Sequence, residues 1–426
     1  MKYFSQSHYV VSLLFVTSFL VHPAIAGMTT GEVRRFKDFE TNAKKGDRFA
    51  QFSLGVCYAN GLGVTKDESE AVSCYRKAAA LAVPEAQYNL GWCYASGFGI
   101  GKDQNEAISW YRKSAGQKHA AAEFALGVCY ANGLGVAQDY GQAVLWYRKA
   151  AAQGVADAKY SLGVCYANGL GVVKDEVEAV VWYREAAAQG DVDAQYNLGV
   201  HYADGLGVKK DEAEAISWYG KAAEKGDFKA QYNLGVHYAN GSGVDKDDFV
   251  AVSWYRKAAD NGYAAAQNNL GFMYANGLGV NKDLERAAAW YRKAAVQGDL
   301  NAQNSLGFIY SVGIGVTKDA VEAASWFRRA AEQGDAKGQY NLGFCYANGF
   351  GVLKDEIEAY AFYNIAAIGY EDARKNLDIL EKSMSPDARL VGQQRAKQLQ
   401  KEISGKLESA QELIKAIEME QLKKGA

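Results

Sequence analysis

The chain has 426 residues, with 47 Lys and Arg against 49 Asp and Glu and a formal net charge of −2. No block of like charge occurs along it, which argues against nucleic acid as a partner. Apolar residues make up 49% of the chain, so it can bury a large core and lacks the composition of an intrinsically disordered protein.

Residues 1–26 are predicted to be a cleaved export signal. Lys2 precedes an apolar run from Val10 to Val21, and Ala24-Ile25-Ala26 fits the small-x-small pattern of signal peptidase. The alternative, a membrane anchor, requires roughly 18 apolar residues. Gly27 follows the cut, so a lipidated cysteine is not expected there. We therefore expect no integral membrane segment after cleavage, and an exported bacterial protein that resides in the periplasm or outside the cell.

A lone capping helix is predicted within residues 27–45, and repeats follow it over residues 46–370. A Leu-Gly-x-x-Tyr motif recurs at a strict spacing of 36 residues, without one insertion. Its glycines are Gly55, Gly91, Gly127, Gly163, Gly199, Gly235, Gly271, Gly307 and Gly343. Nine copies in phase predict nine helix-turn-helix units.

The first helix of each unit is predicted from about Ala50 to Asn60. Ala50, Leu54 and Tyr58 are four residues apart and form one buried stripe. Gly55 lies inside this helix at a cost of about 1 kcal/mol relative to alanine, so it is expected to permit close approach of a neighbouring helix. Gly61 and Gly63 then form the turn at positive φ.

An aspartate begins the second helix of every unit and is predicted to be its structural N-cap. The nine are Asp67, Asp103, Asp139, Asp175, Asp211, Asp247, Asp283, Asp319 and Asp355. Glu or Gln follows three residues later in seven units, which predicts a reciprocal capping box; Val250 and Arg286 are the exceptions. Capping is favoured over metal binding or acid catalysis because a helical pattern follows each aspartate.

The buried stripe of the second helix is predicted at Ala71, Tyr75 and Ala78. The run from Ala151 to Gly154 places a glycine at the position just after the helix.

Taken together, these residues resemble the SEL-one-like repeat, a relative of the tetratricopeptide repeat. The segment from Tyr88 to Tyr94, the turn at Gly97–Ile100, Asp103, Ala107 and the segment from Trp110 to Lys113 carry the likeness. The resemblance implies an all-α fold: a right-handed α/α superhelical solenoid of nine 36-residue helix-turn-helix repeats with helical caps. Cysteine-rich relatives carry a disulfide in every repeat, a pattern that this chain lacks.

C-terminal capping helices are predicted over residues 371–426. An unpaired first-type helix from Glu371 to Leu380 precedes a helix that begins at Ser385-Pro386. Leu399, Ile403, Leu407, Ala410, Leu413 and Ile417 form its apolar stripe. The favoured interpretation is a helix that shields the last repeat; the alternative is a short coiled coil joining two chains, which Gly405 would interrupt. The oligomeric state stays open, with a monomer favoured.

The concave face lined by first helices is the predicted site for a protein or an extended peptide. By the tetratricopeptide likeness, four positions per repeat point inward, those of Tyr88, Asn89, Trp92 and Ser96. Asparagine amides can bond a peptide backbone while aromatic rings take its side chains. The groove residues are Tyr88, Asn89, Trp92, Tyr160, Tyr196, Asn197, Tyr232, Asn233, Asn268, Asn269, Phe272, Asn304, Phe308, Tyr340 and Asn341. The alternative is that Tyr and Asn only set the helix packing.

A specialised subsite is expected in the seventh and eighth repeats. Asn268 and Asn304 replace tyrosine there, and Phe272 and Phe308 replace valine.

Cysteine leaves two interpretations open in an exported protein. Cys57, Cys93, Cys129, Cys165 and Cys345 share one repeat position, and equivalent residues about 10 Å apart exceed the roughly 7 Å Cα limit for a bridge. Cys74 could instead meet Cys57 or Cys93 across a helix contact, and a disulfide, with Cys57 and Cys74 as the candidate pair, is considered beside the favoured alternative of small buried thiols.

Enzymatic motifs are not found, and neither a cofactor nor a metal is expected. His201 and His237 hold the same position of adjacent repeats, too far apart to share a zinc ion. We expect a non-enzymatic scaffold or adaptor of the bacterial envelope or secreted space. The alternatives are a secreted factor that contacts host proteins and, less favoured, a cell-wall or β-lactam hydrolase.

Overall fold

The computed structural model describes residues 29–425, with side chains described up to residue 413. The predicted export signal lies outside the described residues. The described chain contains helices and no strand. In chain order the helices are α1 Thr30–Lys44, α2 Arg48–Asn60, α3 Glu68–Ala80, α4 Pro84–Ser96, α5 Gln104–Gly116, α6 Ala120–Asn132, α7 Tyr140–Ala152, α8 Ala156–Asn168, α9 Glu176–Ala188, α10 Val192–Asp204, α11 Glu212–Glu224, α12 Phe228–Asn240, α13 Asp248–Asp260, α14 Ala264–Asn276, α15 Leu284–Val296, α16 Leu300–Val312, α17 Ala320–Glu332, α18 Ala336–Asn348, α19 Glu356–Ala366, α20 Glu371–Ser383 and α21 Pro386–Gly425.

These helices form two compact units. Unit 1 holds the described residues up to His201, Gly205–Lys209 and the described residues from Ile417 onward, and unit 2 holds Tyr202–Asp204 and Lys210–Ala416. Each unit is a stack of helical hairpins, so each has the all-α solenoid architecture expected from the sequence. None of the described helices is long and apolar enough to cross a membrane.

Within a hairpin, the glycine of the first helix lies under the tyrosine ring of the second helix. A Cβ atom built on Gly55 would lie 2.7 Å from the ring carbons of Tyr75, and one on Gly91 would lie 2.7 Å from Tyr111. The rings themselves are buried, since Tyr75 and Tyr111 are each 3% exposed. The packing reason expected for these mid-helix glycines is therefore present.

Between hairpins, the second glycine of each turn closes on the preceding second helix. Gly61 and Gly63 have φ values of +71°. A side chain on Gly63 would collide with the backbone of Glu32 at the start of α1, and one on Gly99 with that of Glu68 in α3. In unit 2, Gly279 meets Asp248 in the same way. This close approach of two backbones joins each repeat to its neighbour.

The predicted N-cap aspartates occupy that place in all nine repeats. Asp67 accepts a hydrogen bond from the N–H of Glu70 at 3.0 Å, and Asp283 accepts one from the N–H of Arg286 at 2.9 Å. The same geometry recurs at the other seven second helices.

The reciprocal half of the predicted capping box does not form in these repeats. The backbone N–H of the aspartate donates instead to the carbonyl of the first-helix tyrosine, as from Asp67 to Tyr58 at 3.0 Å. Because the N–H of the aspartate already has an acceptor, the Glu or Gln three residues later can make other contacts. Glu178 and Glu214 accept the indole N–H of Trp182 and Trp218, each at 2.9 Å.

Second helices end at a residue with positive φ. Gly154 has a φ of +92°, and glycine holds the same position in most repeats. Ala82 and Lys118 hold it in two of them, with φ values of +59° and +61°. An L-residue is strained in this region because its Cβ approaches the following carbonyl oxygen.

The last helix covers the end of the stack in unit 2. Ala396, Leu399 and Ile403 of α21 are buried in one cluster with Trp326 and Leu342. Arg395 donates to Glu358 at 2.6 Å. Leu407 and Leu413 are 37% and 61% exposed, so these two leucines of the apolar stripe are less covered than Leu399 and Ile403. Gly405 does not interrupt the helix.

Candidate functional site: the first-helix face

The side chains at the four predicted groove positions of the first helices differ in how deeply they are buried. The first position carries aromatic rings that are half buried against the second-helix tyrosine. The centroids of Tyr88 and Tyr111 lie 5.8 Å apart, as do those of Tyr340 and Tyr363. The distance from Tyr160 to Tyr183 is 6.0 Å, and that from Tyr232 to Tyr255 is 5.9 Å. These rings therefore belong mainly to the packing of each hairpin.

The second position carries amides that connect one repeat to the next. Asn197 Nδ2 lies 3.5 Å from the hydroxyl of Tyr160. Asn269 bonds the hydroxyls of both Tyr232 and Tyr255. Burial raises the pKa of Tyr255 to about 12, against a smaller opposing effect of the Asn269 bond. The phenol therefore stays protonated at neutral pH.

Asn304 is placed deeper than a ligand-contacting residue would be. Its side chain is 4% exposed, and its amide donates to Asp335 Oδ2 at 2.7 Å and to the carbonyl of Leu300 at 3.0 Å. Asn341 donates to the Oδ1 atom of Asn304 at 3.1 Å. Asn304 thus links α16 to α18, and little of it is presented to a partner. Asn268 is half buried and donates to Asn269 at 3.3 Å.

The third position is the exposed layer in unit 2. Phe272, Phe308 and Phe344 are 51%, 58% and 47% exposed, and we call them the phenylalanine row. The unit 1 counterpart Trp92 is half buried, with its ring centroid 5.0 Å from that of Phe98. Helix packing places equivalent residues of adjacent repeats roughly 10 Å apart. The row therefore presents three rings along one face of unit 2.

Phe344 was not among the residues predicted from the sequence. Asn268 and Asn304 break the run of aromatic residues at the first position, which directs the sequence-based prediction to the seventh and eighth repeats. In the ninth repeat the first position is again aromatic, at Tyr340, so the pattern there does not point to Phe344. The sequence does show it, because Phe344 follows Phe308 by one period.

The fourth position contributes a polar and apolar border. The amide of Asn276 donates to the carbonyl of Phe272 at 2.8 Å, and that of Asn348 donates to Phe344 at 2.9 Å. Val312 and Ile314, in the repeat between them, are 44% and 38% exposed. The phenylalanine row is thus flanked by apolar surface in its middle repeat.

All six cysteines are free and buried thiols. The disulfide considered between Cys57 and Cys74 is therefore not formed in this structure. Burial raises the pKa of Cys74 to about 11 and that of Cys93 to about 12. Such thiols are poor nucleophiles at neutral pH, since the thiolate is the reactive form.

The two histidines that share the cysteine position have structural contacts. His201 Nδ1 lies 2.9 Å from the carbonyl oxygen of Leu206, and His237 Nδ1 lies 2.8 Å from that of Ser242. Among the described residues, no group of three or more His, Cys, Asp or Glu side chains could hold a metal ion. These histidines secure the turn that follows each first helix.

Comparison with known proteins finds the Sel1 repeat family model on nine consecutive segments. They are residues 48–83, 84–119, 120–155, 156–191, 192–227, 228–263, 264–299, 300–335 and 336–368. Two curated relatives, DAP3-binding cell death enhancer 1 of Rattus norvegicus and of Mus musculus, are 46% and 44% identical over 50 residues. That stretch is 12% of this chain and only 10% of each relative.

Two solved structures are similar over most of the chain. One is a protective antigen present in uropathogenic Escherichia coli strains that displays an SLR fold. It is 33% identical with a TM-score of 0.56, and the match covers 88% of this chain and 89% of that one. The other is a Sel1 repeat protein from Oxalobacter formigenes, 33% identical with a TM-score of 0.56, covering 71% and 88%.

Proposed function

This chain belongs to the Sel1 repeat family, and from that premise we propose that it is a non-enzymatic scaffold that binds a partner protein through the phenylalanine row of unit 2. The Sel1 repeat fold is typical of protein–protein interaction. The observation that carries the proposal is the exposure of Phe272, Phe308 and Phe344, of which each is about half open to solvent. Exposed apolar patches of this kind mark interaction sites in soluble proteins.

The energetics favour this layer of the face over the tyrosines and asparagines beneath it. Burying a large apolar side chain contributes about 1.5–3 kcal/mol, and aromatic residues are enriched among the side chains that dominate interfaces. Tyr232 and Asn269 already have partners within the stack. The row also lacks charge, so its binding should depend weakly on salt.

The test uses the chain from residue 27 onward as bait in bacterial envelope extract. A variant with Phe272→Ala, Phe308→Ala and Phe344→Ala is compared with a Phe49→Ala control, which removes a 54% exposed phenylalanine from α2 in unit 1. Helicity must be equal in all three proteins. A partner that is lost only with the triple variant supports the row, and titration of that purified partner should give the same order. Retention by the triple variant would contradict the proposed surface.

We further propose that the protein acts in the bacterial envelope or the secreted space. The support is the pattern of residues 1–26, and α1 begins at Thr30, shortly after the expected cut before Gly27. Amino-terminal sequencing of protein recovered from periplasm and medium is expected to begin at Gly27. Recovery of the full chain from the cytoplasm would contradict this.

A second candidate role, contact with host proteins, is favoured by one observation. The Escherichia coli relative, 33% identical over 88% of this chain, is a protective antigen. Binding to host-cell extract with the same variant and control would test it, and loss of a host partner only in the triple variant would support it.

A further inference from the structure

The seventh repeat departs from the others at the start of its second helix, α15. In five repeats, a lysine before this helix pairs with an acid at its first position, as Lys66 pairs with Glu68 at 2.8 Å and Lys210 with Glu212 at 2.9 Å. In the seventh repeat, Leu284 follows Lys282 in place of the acid.

The third helical position changes in the same repeat and in the one before it. Glu or Gln occupies it in seven repeats, whereas Val250 and Arg286 occupy it in the sixth and seventh. Next to Val250, Phe249 is 74% exposed. Two adjacent repeats have thus lost a carboxylate or amide and gained a cation and an exposed ring.

Phe249, Lys282 and Arg286 line one open cleft of about 720 Å³ in unit 2. Arg256 donates to the hydroxyl of Tyr274 at 2.8 Å, and the Arg286 guanidinium lies 5.8 Å from the centroid of the same ring. The two cations therefore approach one phenol from different directions. Lys282 and Phe249 complete the lining of the cleft.

The only carboxylate in the lining is committed to the helix that it caps. Asp283 accepts the backbone N–H of Arg286 at 2.9 Å through Oδ1 and pairs with its guanidinium at 3.1 Å through Oδ2. Three cationic side chains thus share the cleft with one carboxylate. By contrast, in the ninth repeat Arg328 bonds Tyr346 while the third position is Glu358, a carboxylate.

We propose that this cleft binds an acidic peptide segment of a partner protein. A carboxylate of the segment lies between Arg256 and Arg286, and an adjacent apolar side chain packs on Phe249. Guanidinium groups suit carboxylates because their fork of donors allows two parallel hydrogen bonds. The surface is separate from the phenylalanine row, so the inference goes beyond the function proposed above and does not depend on it.

Peptide is favoured over the other anionic partners by the surroundings of the cleft. Phe249 offers an apolar contact that inorganic phosphate cannot use. Glu285 and Asp248 stand close in sequence to the lining residues, and the whole chain has a net charge of −2, which disfavours a polyanion such as nucleic acid.

The probe is a fluorescein-labelled peptide of alternating glutamate and leucine, read by fluorescence anisotropy with the chain from residue 27 onward. A length-matched peptide with glutamine in place of glutamate tests the role of charge. The protein variants are Arg286→Glu, which installs the residue type found in other repeats, and Phe249→Ala. The charge-matched control is Arg35→Glu, an exposed arginine of α1 in unit 1.

The acidic peptide is expected to bind the wild type and to lose at least about tenfold in affinity with Arg286→Glu, because the reversal replaces an attractive charge with one that repels the peptide carboxylate. Phe249→Ala should weaken binding by a smaller factor, and Arg35→Glu should leave it unchanged. Affinity should also fall as salt rises, in contrast to binding at the phenylalanine row.

Four results would overturn the proposal. They are no binding of the acidic peptide, equal binding of the glutamine peptide, equal losses with Arg286→Glu and Arg35→Glu, and complete displacement by millimolar inorganic phosphate with no effect of Phe249→Ala. The last would identify a small-anion site. The phenylalanine triple variant serves as an independent check, because it should bind the acidic peptide as the wild type does even if no envelope partner is found.

Discussion

The side-chain amide of Gln297 donates a 2.8 Å hydrogen bond to the Oε1 atom of Gln267, which is 4% exposed in the interior of the same repeat. Gln333 and Gln303 form the equivalent bond at 2.9 Å one repeat later. One repeat earlier, Asn261 stands in place of the donor, and the Oε1 atom of Gln231 has no hydrogen-bond partner. A buried acceptor without a donor costs free energy.

Asn261→Gln is therefore expected to stabilise the protein by about 1 kcal/mol, because the longer side chain supplies the missing donor. Gln297→Asn, which shortens the donor of the next repeat, should lower the free energy of unfolding by a similar amount. Urea unfolding followed by circular dichroism measures both. Two variants with unchanged stability would show that the amide pair contributes nothing.

Ala82→Gly and Lys118→Gly are expected to stabilise the protein by about 0.5–1 kcal/mol each. Left-handed backbone strains an L-residue by roughly 1–2 kcal/mol, and the greater freedom of glycine in the unfolded chain offsets part of the gain. Differential scanning calorimetry should show a rise in Tm for each. Gly154→Ala, at the same position with φ +92°, should lower it; a rise there would refute the strain argument.

Gly235→Ala is expected to destabilise the protein by about 1–3 kcal/mol through overpacking. Its Cβ would lie 2.5 Å from a ring carbon of Tyr255. Gly220→Ala is the matched control, because no heavy atom lies within 4 Å of its Cβ. It should raise the free energy of unfolding by up to about 1 kcal/mol through helix propensity. Equal effects of the two substitutions would contradict the tyrosine-on-glycine packing.

Acid should weaken the protein partly through His119. Burial lowers the pKa of this imidazole from its ordinary value of 6.5, against a smaller opposing effect of the Glu85 carboxylate. The unfolded state therefore binds the proton more readily, so the stability associated with the neutral ring is present above pH 6.5 and is lost as the pH falls below it.

His119→Val places in this repeat the residue that Val83 and Val155 provide in its neighbours. The difference in urea midpoint between pH 7.5 and pH 5.5 is expected to be smaller in the variant than in the wild type. An equal difference in both proteins would mean that His119 does not contribute.

Removal of α21 should destabilise unit 2, because the buried cluster that contains Trp326 would lose the side chains of Leu399 and Ile403. Each buried side chain contributes about 1.5–3 kcal/mol. A chain ending after Lys382 is expected to melt several degrees lower than the full chain, and lower than a chain ending after Glu408, which retains the buried Leu399 and Ile403. Light scattering on both chains tests the coiled-coil alternative. A dimer that persists in the chain ending after Lys382, which lacks α21, would exclude a coiled coil formed by that helix.

Most of the architecture can be predicted from the sequence because the same packing residues recur at the same positions of every repeat. Gly55 predicts a close helix contact, Gly61 and Gly63 predict the turn, and Asp67 predicts the start of the second helix. The prediction of a reciprocal capping box was wrong for its second hydrogen bond, and the sequence pattern does not show why. The donor of Asp67 is taken by Tyr58 O, a contact that depends on how the hairpin closes in space.

The candidate site was harder to predict than the fold. From the sequence, Asn197 and Asn269 are predicted to bind a ligand. In the structure, their amides contact tyrosine hydroxyls of neighbouring helices instead. Only the folded geometry decides whether a recurring polar residue is used inside the stack or left open. The sequence shows that Arg286 replaces the usual Glu or Gln, but its position beside Arg256 and Tyr274 depends on the contact between two hairpins.

The contact of Gly63 with Glu32, repeated at Gly99 with Glu68 and at later turns, gives every junction within a unit the same form. If residues 120–155 were removed, Gly171 would meet the backbone of Gln104 in place of that of Tyr140. The same backbone contact would then form at the new junction. Such an array can gain or lose whole modules by recombination between its own copies. The number of repeats can therefore change while the packing within each repeat stays the same.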